Sequence, residues 1–296
     1  MALSRRCFAQ TLCGMHLSSL LRAVSTEDDF AEFTNMPWNA PANVARVYLA
    51  GQPHWPKPTL DIDQEVRGIE AELAGVAQKH AANVRFTGGE ILRQDTDVKP
   101  WLAKTGPLDG LLIIPLTQPT PPLRLLLDEA NVPSLFFSRP YATHSWSTIA
   151  DLRKAGRRLD VVATSSYGDL DPYLRMFRTV HHMKTSKVLV GTANAKSRQE
   201  AASGYSGHFG TQFQFVTGNE FTDAFEAADQ RAARTAAEAF TKNALRVVEP
   251  KPQEIVDGLR MYLAMKEMLK REKDNALTID CFGTLKANTL PCYPCI

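Results

Sequence analysis

The chain has 296 residues, 44% hydrophobic and 22% charged, which is enough apolar material for one large core or two modest ones and too much for a disordered chain. Its 34 Lys and Arg against 32 Asp and Glu leave a net charge of +2, so no overall field draws it to nucleic acid or to a membrane surface. No apolar run approaches the roughly 20 residues of a membrane-spanning helix, and the cysteines at 7, 13, 281, 292 and 295 are too unevenly placed for a disulfide framework.

Residues 1–25 carry Arg5-Arg6 before Cys7-Phe8, a moderately apolar stretch from Thr11 to Leu21, and small residues at Ala23 and Ser25. A basic start followed by a short apolar segment is the layout of an export signal, here of twin-arginine type, which would deliver the protein to the periplasm or beyond. The other reading is an amphipathic N-terminal helix on a cytoplasmic protein. Residues 26–43 are polar, contain Pro37 and Pro41, and read as a linker with Trp38 packed onto the next domain.

From residue 44 short apolar runs alternate with helical spacing. Val44–Leu49 predicts a strand, with Gly51, Pro53 and Pro56 in the loop after it. Ile62, Val66, Ile69, Leu73 and Val76 recur at the spacing of one helix face, predicting a helix over 61–82. A strand over 84–86 is expected to end at Gly88-Gly89, and a short helix follows over 97–104. Leu111–Leu116 is apolar on both faces, as a central parallel strand requires. A helix over 123–130, strands over 132–137 and 159–163, and a helix over 169–183 complete a first Rossmann-like domain, 44–183. A second, 184–296, is expected from strands over 187–190, 212–216 and 277–279 and long helices over 219–244 and 252–273. The methionine-rich face of the last helix reads as core. The alternation predicts an α/β fold with two Rossmann-like, flavodoxin-like parallel-sheet domains.

No G-x-G-x-x-G, G-x-x-x-x-G-K or G-x-S-x-G is present, so neither a phosphate-cradling loop nor a nucleophile elbow is encoded. Cys292 and Cys295 have the spacing of a redox pair or half a zinc site. Pro291 and Pro294 keep them off a helix N-terminus, and they read as buried, inert thiols. His181 and His182 are adjacent on a helix and face different sides, which suits surface or packing roles better than one metal.

The loops after three successive strands carry more chemistry. Thr117 and Gln118 follow the first central strand; Arg139, Tyr141 and His144 follow the next; Ser165 and Ser166 follow the third. Amides and hydroxyls pair with the hydroxyls of a small-molecule sugar, and aromatic faces cover its C–H surface. The same residue types also cap helices and line domain interfaces, an equally weighted alternative. Asp280, at the end of the last strand, is a weak catalytic candidate for proton transfer or metal binding.

Together these segments resemble the L-fucose isomerase / L-arabinose isomerase superfamily, in its fucose-isomerase-like branch. The resemblance rests on Asp109–Thr117, Val132–Tyr141, Leu159–Ser166, Arg178–Lys184 and Asn275–Cys281 leading to Leu290–Cys295, and it covers roughly residues 44–296. It implies two Rossmann-like domains before a C-terminal domain, a homo-oligomer, and a manganese ion held by acidic residues and a histidine. That ion would support aldose–ketose isomerisation of a deoxyhexose or pentose through an enediol. The family's acidic ligands and histidine mostly follow the point where this chain stops, and only Asp280 falls near the right region. The resemblance therefore leads us to expect the N-terminal part of a sugar isomerase, lacking the metal site and inactive alone. The alternative is an exported, non-catalytic sugar-binding module with two α/β lobes.

Overall fold

The computed structural model describes residues 33–53, 56–118, 120 and 122–292. The expected export signal, Cys7, Cys13 and Cys295 lie outside them. The chain divides into two compact units, one of Ala40–His182 and one of Met183 onward with Phe33–Asn39. In the second, Trp38 is buried and meets Phe33 with ring centroids 5.9 Å apart.

The first unit is built on five parallel strands: β1 Ala42–Leu49, β2 Val84–Leu92, β3 Gly110–Pro115, β4 Ser134–Ser138 and β5 Leu159–Ala163, in the order β2-β1-β3-β4-β5. The helices are α1 Ile62–Lys79, α2 Val98–Thr105, α3 Leu123–Ala130, α4 Trp146–Lys154 and α5 Asp171–Thr185. Side chains alternate across the pleat and sort the core into two layers. Val44, Tyr48, Leu112, Ile114 and Phe137 pack against Ile69 and Leu73 of α1 and Leu174 and Phe177 of α5. Ala45, Val47, Leu111, Ile113 and Phe136 pack against residues of α2, α3 and α4. Every residue of β3 is buried, as its uninterrupted apolar run requires. The expected α/β class with flavodoxin-like strand order is what this unit has.

Two details of β2 and α1 depart from expectation or sharpen it. β2 does not stop at Gly88-Gly89. The pair sits at positive φ inside the strand, where the pairing skips from Arg46↔Gly88 to Val47↔Glu90. A Cβ on Gly88 would lie 2.6 Å from the Arg46 carbonyl, so the glycines permit a bulge and do not end the strand. α1 starts one residue later than expected because Asp61 is its N-cap, accepting from the Gln64 amide at 2.9 Å. At its other end His80, buried at the C-cap, meets Asp171 Oδ1 at the start of α5 at 2.7 Å. His181 also serves packing, because its Nδ1 lies 2.8 Å from Asp109 Oδ2, which accepts from the Asn43 amide as well.

The second unit has three parallel strands, β6 Lys187–Gly191, β7 Gln212–Val216 and β8 Ala276–Ile279, in the order β7-β6-β8. Its helices are α6 Ala195–Phe209, α7 Gly218–Ala227, α8 Gln230–Asn243, α9 Pro252–Glu272 and α10 Cys281–Lys286. Two helices replace the single long one expected over 219–244. The chain breaks at extended Ala228, and Asp229 caps a new helix by accepting from the Arg231 and Ala232 amides. Met261 and Met268 of α9 are buried with Leu189, Val216 and Phe221, with Met265 packed against them. The sequence pattern announces neither α4 nor α6. α6 buries none of its residues, so it carries no apolar stripe to read. No helix among the described residues is long and apolar enough to cross a membrane.

Candidate functional site

In an open parallel sheet, loops leaving the strand C-termini diverge where the strand order reverses, and a crevice opens between them. In the first unit that point lies between β1 and β3. The backbone amide of Gly51, just past β1, donates to Thr117 Oγ1, just past β3, at 2.6 Å. Around this bond a narrow crevice is lined by Pro56, Lys57, Leu60, Leu116, Thr117, Gln118, Tyr141, Ala142, Thr143 and His144. Its enclosed space, about 10 Å³, holds about one water. It adjoins an open groove of about 910 Å³ along the start of α1, which shares Pro56, Lys57 and Leu60 with it and adds Gln64 and Glu65. The enclosed space is too small for a ring-sized molecule, and only the mouth and the adjoining groove have room for one.

Of the residues expected at the site, Thr117, Gln118, Tyr141 and His144 meet in this crevice. Thr117 is buried and already engaged with Gly51, so it shapes the wall, whereas Tyr141 is 73% exposed at the rim. Tyr141 has φ +62°, a left-handed conformation rare for a bulky side chain. Arg139 is close by but occupied. Its guanidinium pairs with Glu65 and acts on the Tyr167 hydroxyl, and its buried Nε has no partner among the described residues. Ser165 and Ser166 stay outside. Both are exposed, and the Ser166 amide donates to Thr164 Oγ1, which itself donates to Asp169.

Sequence reasoning missed Lys57, Thr143 and Glu65. Lys57 comes from the β1–α1 connection and Glu65 from the first turn of α1, and the importance of this corner appears only once the strand order is known. Lys57 Nζ lies 3.4 Å from Glu65 Oε1, and Arg139 reaches the same oxygen. Burial works to raise the Glu65 pKa, but the hydrogen bonds and charges of Arg139 and Lys57 outweigh it, holding the carboxyl below its usual range. Burial pushes the Tyr167 hydroxyl the other way, upward, against the opposing charge of Arg139.

Asp280 sits at the C-terminal end of β8 and caps α10. Its Oδ1 accepts from the Gly283 amide at 3.2 Å, and Oδ2 faces Arg198 Nη2 at 3.2 Å and Thr192 Oγ1 at 3.4 Å. The Arg198 hydrogen bond first, then the Gly283 amide, hold its carboxyl below the usual aspartate range, so it stays ionised and is a poor proton donor near neutrality. Among the described residues no three His, Cys, Asp or Glu side chains converge on one point. Those residues do not fit the manganese centre that the resemblance implies. Cys292 is half-buried with its thiol pushed up to about 11 by burial, which suits an inert thiol.

Compared with known protein families and with curated proteins, the chain matches no family model and no curated sequence.

Proposed function

We propose that the chain supplies the sugar-recognition part of an aldose–ketose isomerase-like protein, with a deoxyhexose or pentose lying across the crevice between β1 and β3. The observation that supports this is the convergence of Gln118, Tyr141 and His144 on one crevice at the reversal of strand order. An amide and an imidazole offer donors and acceptors to hydroxyls, and an exposed aromatic ring covers the C–H face of a sugar. A neutral polyol suits this mouth better than a phosphorylated one. Of the cations near the mouth, Lys57 and Arg139 share the Glu65 carboxylate and Arg67 lines only the outer groove, and no glycine-rich loop presents amides to a phosphate. Arg139 then acts behind the site and not on the sugar.

Thermal unfolding in the presence of L-fucose, L-arabinose and D-xylose, each with and without manganese, tests the reading. A sugar-dependent rise in Tm without added metal is expected, because the crevice residues bind without one. A folded sample whose Tm responds to none of the sugars overturns it. A response that appears only with manganese moves the sugar site away from this crevice.

A further inference from the structure

Glu65 stands beside the crevice with one oxygen spent and, among the described residues, one unspent. Arg139 and Lys57 both reach Oε1, and Oε2 accepts from none of the described residues. The side chain is 24% exposed and lines the groove that shares Lys57 with the crevice. A carboxylate with a free oxygen is the strongest neutral-pH acceptor a protein can offer to a pair of hydroxyls, since a hydrogen bond to a charged acceptor is roughly twice as strong as one to a neutral acceptor.

What keeps this carboxylate available is the set of groups around it. Lys57 approaches from the β1–α1 loop and Arg139 from the loop after β4, with Tyr167, from the segment after β5, also in reach of the guanidinium. The two cations hold Glu65 ionised despite its partial burial. Arg139, 18% exposed, directs its guanidinium at Glu65 and at the Tyr167 hydroxyl. Tyr141, two residues along the same loop, keeps a strained left-handed backbone while exposing its ring at the rim. Such strain persists where the surrounding structure fixes it, and it clusters at ligand sites.

We propose that Glu65 is the anchoring residue of the site: Oε2 accepts two adjacent hydroxyls of the bound polyol, and Arg139 is a positioning residue that orients and charges this carboxylate without touching the ligand. This rests on the sugar-binding reading above and adds to it the residue that sets specificity for a vicinal diol.

Isothermal titration of the whole chain with L-fucose and with L-arabinose, from pH 8 down to the lowest pH at which the protein stays folded, tests it. The wild-type affinity is expected to fall at the acid end as Glu65 protonates. Glu65→Gln should bind at least tenfold more weakly at pH 7 and lose that pH dependence. Arg139→Ala should move the fall in affinity to higher pH, because the cation that depresses the carboxyl is gone, and Arg139→Lys should restore it most of the way. Glu65→Asp keeps the charge on a shorter arm and is the second variant, expected to fold and to bind more weakly than wild type. If Glu65→Gln or Glu65→Asp binds either sugar as tightly as wild type, the proposal is overturned while the sugar site stands. If the wild type binds neither sugar, the sugar-binding reading falls and this inference with it.

Discussion

Gly51 donates its amide to the hydroxyl of Thr117 at 2.6 Å, tying the loop that leaves β1 to the loop that leaves β3. Thr117 is buried, so water cannot replace the bond. Thr117→Val keeps the shape and removes the acceptor, leaving a partly buried amide unpaired. A loss of about 1–3 kcal/mol is expected in chemical denaturation. Thr117→Ser, which keeps the hydroxyl, should lose less. Equal losses for the two variants would mean that packing, and not this bond, holds the loops.

Two glycines permit close approach of a helix to a sheet, one in each unit. A Cβ on Gly110 at the start of β3 would lie 2.3 Å from the Phe177 ring of α5. One on Gly191 at the end of β6 would lie 2.3 Å from the Phe221 ring of α7. Gly191→Ala should destabilise the protein by about 1–3 kcal/mol through overpacking. The double variant with Phe221→Leu should lose less than the sum of the two single changes, the signature of a shared contact. Strict additivity in the cycle would contradict the placement of Phe221.

Asp274, between α9 and β8, is 1% exposed and neither of its carboxylate oxygens has a hydrogen-bond partner among the described residues. Burial first, with the Glu272 charge adding and Lys187 opposing, raises its pKa above the ordinary 3.8. A raised carboxyl binds its proton more tightly in the folded state than in the unfolded state. It therefore costs nothing where both states are protonated, and the cost grows as pH rises through the raised value. Asp274→Asn should raise Tm at pH 7 and leave it nearly unchanged at pH 3. A variant less stable than wild type at pH 7 would show that the carboxylate is satisfied in solution.

Cys292 donates its Sγ–H to the Asp257 carbonyl at 3.4 Å, and burial pushes the thiol up to about 11. Little thiolate exists at pH 8, and thiolate is the reactive form. Peptide mapping after brief iodoacetamide treatment should find Cys292 labelled far more slowly in native protein than in urea. Equal labelling in both would remove the inert-thiol assignment.

The first sheet is largely legible in the sequence because its inner strands β1, β3 and β4 are buried on both faces and advertise themselves as apolar runs, β3 above all. Leu123–Ala130 and Leu159–Ala163 emerge with the expected bounds. The second unit is harder to read. α6 has no buried stripe to betray it, and the break at Ala228 depends on one capping aspartate inside an alanine-rich stretch. Of the candidate site, Gln118, Tyr141 and His144 are readable as polar and aromatic residues following apolar runs. Lys57 and Glu65 are not, because only the strand order reveals that the loop after β1 faces the loop after β3. Gly88-Gly89 misleads for a similar reason. Glycines end strands when a turn follows and bend them when a partner strand continues, and the partner here is β1.

Hydrogen–deuterium exchange with and without saturating L-fucose tests the sugar crevice most directly, because it locates the ligand as well as detecting it. Binding across the mouth between β1 and β3 should slow exchange in residues 57–65, 116–118 and 139–144 and leave the β6–β8 sheet unchanged. Protection confined to that second sheet, or none anywhere in a folded sample, would contradict it.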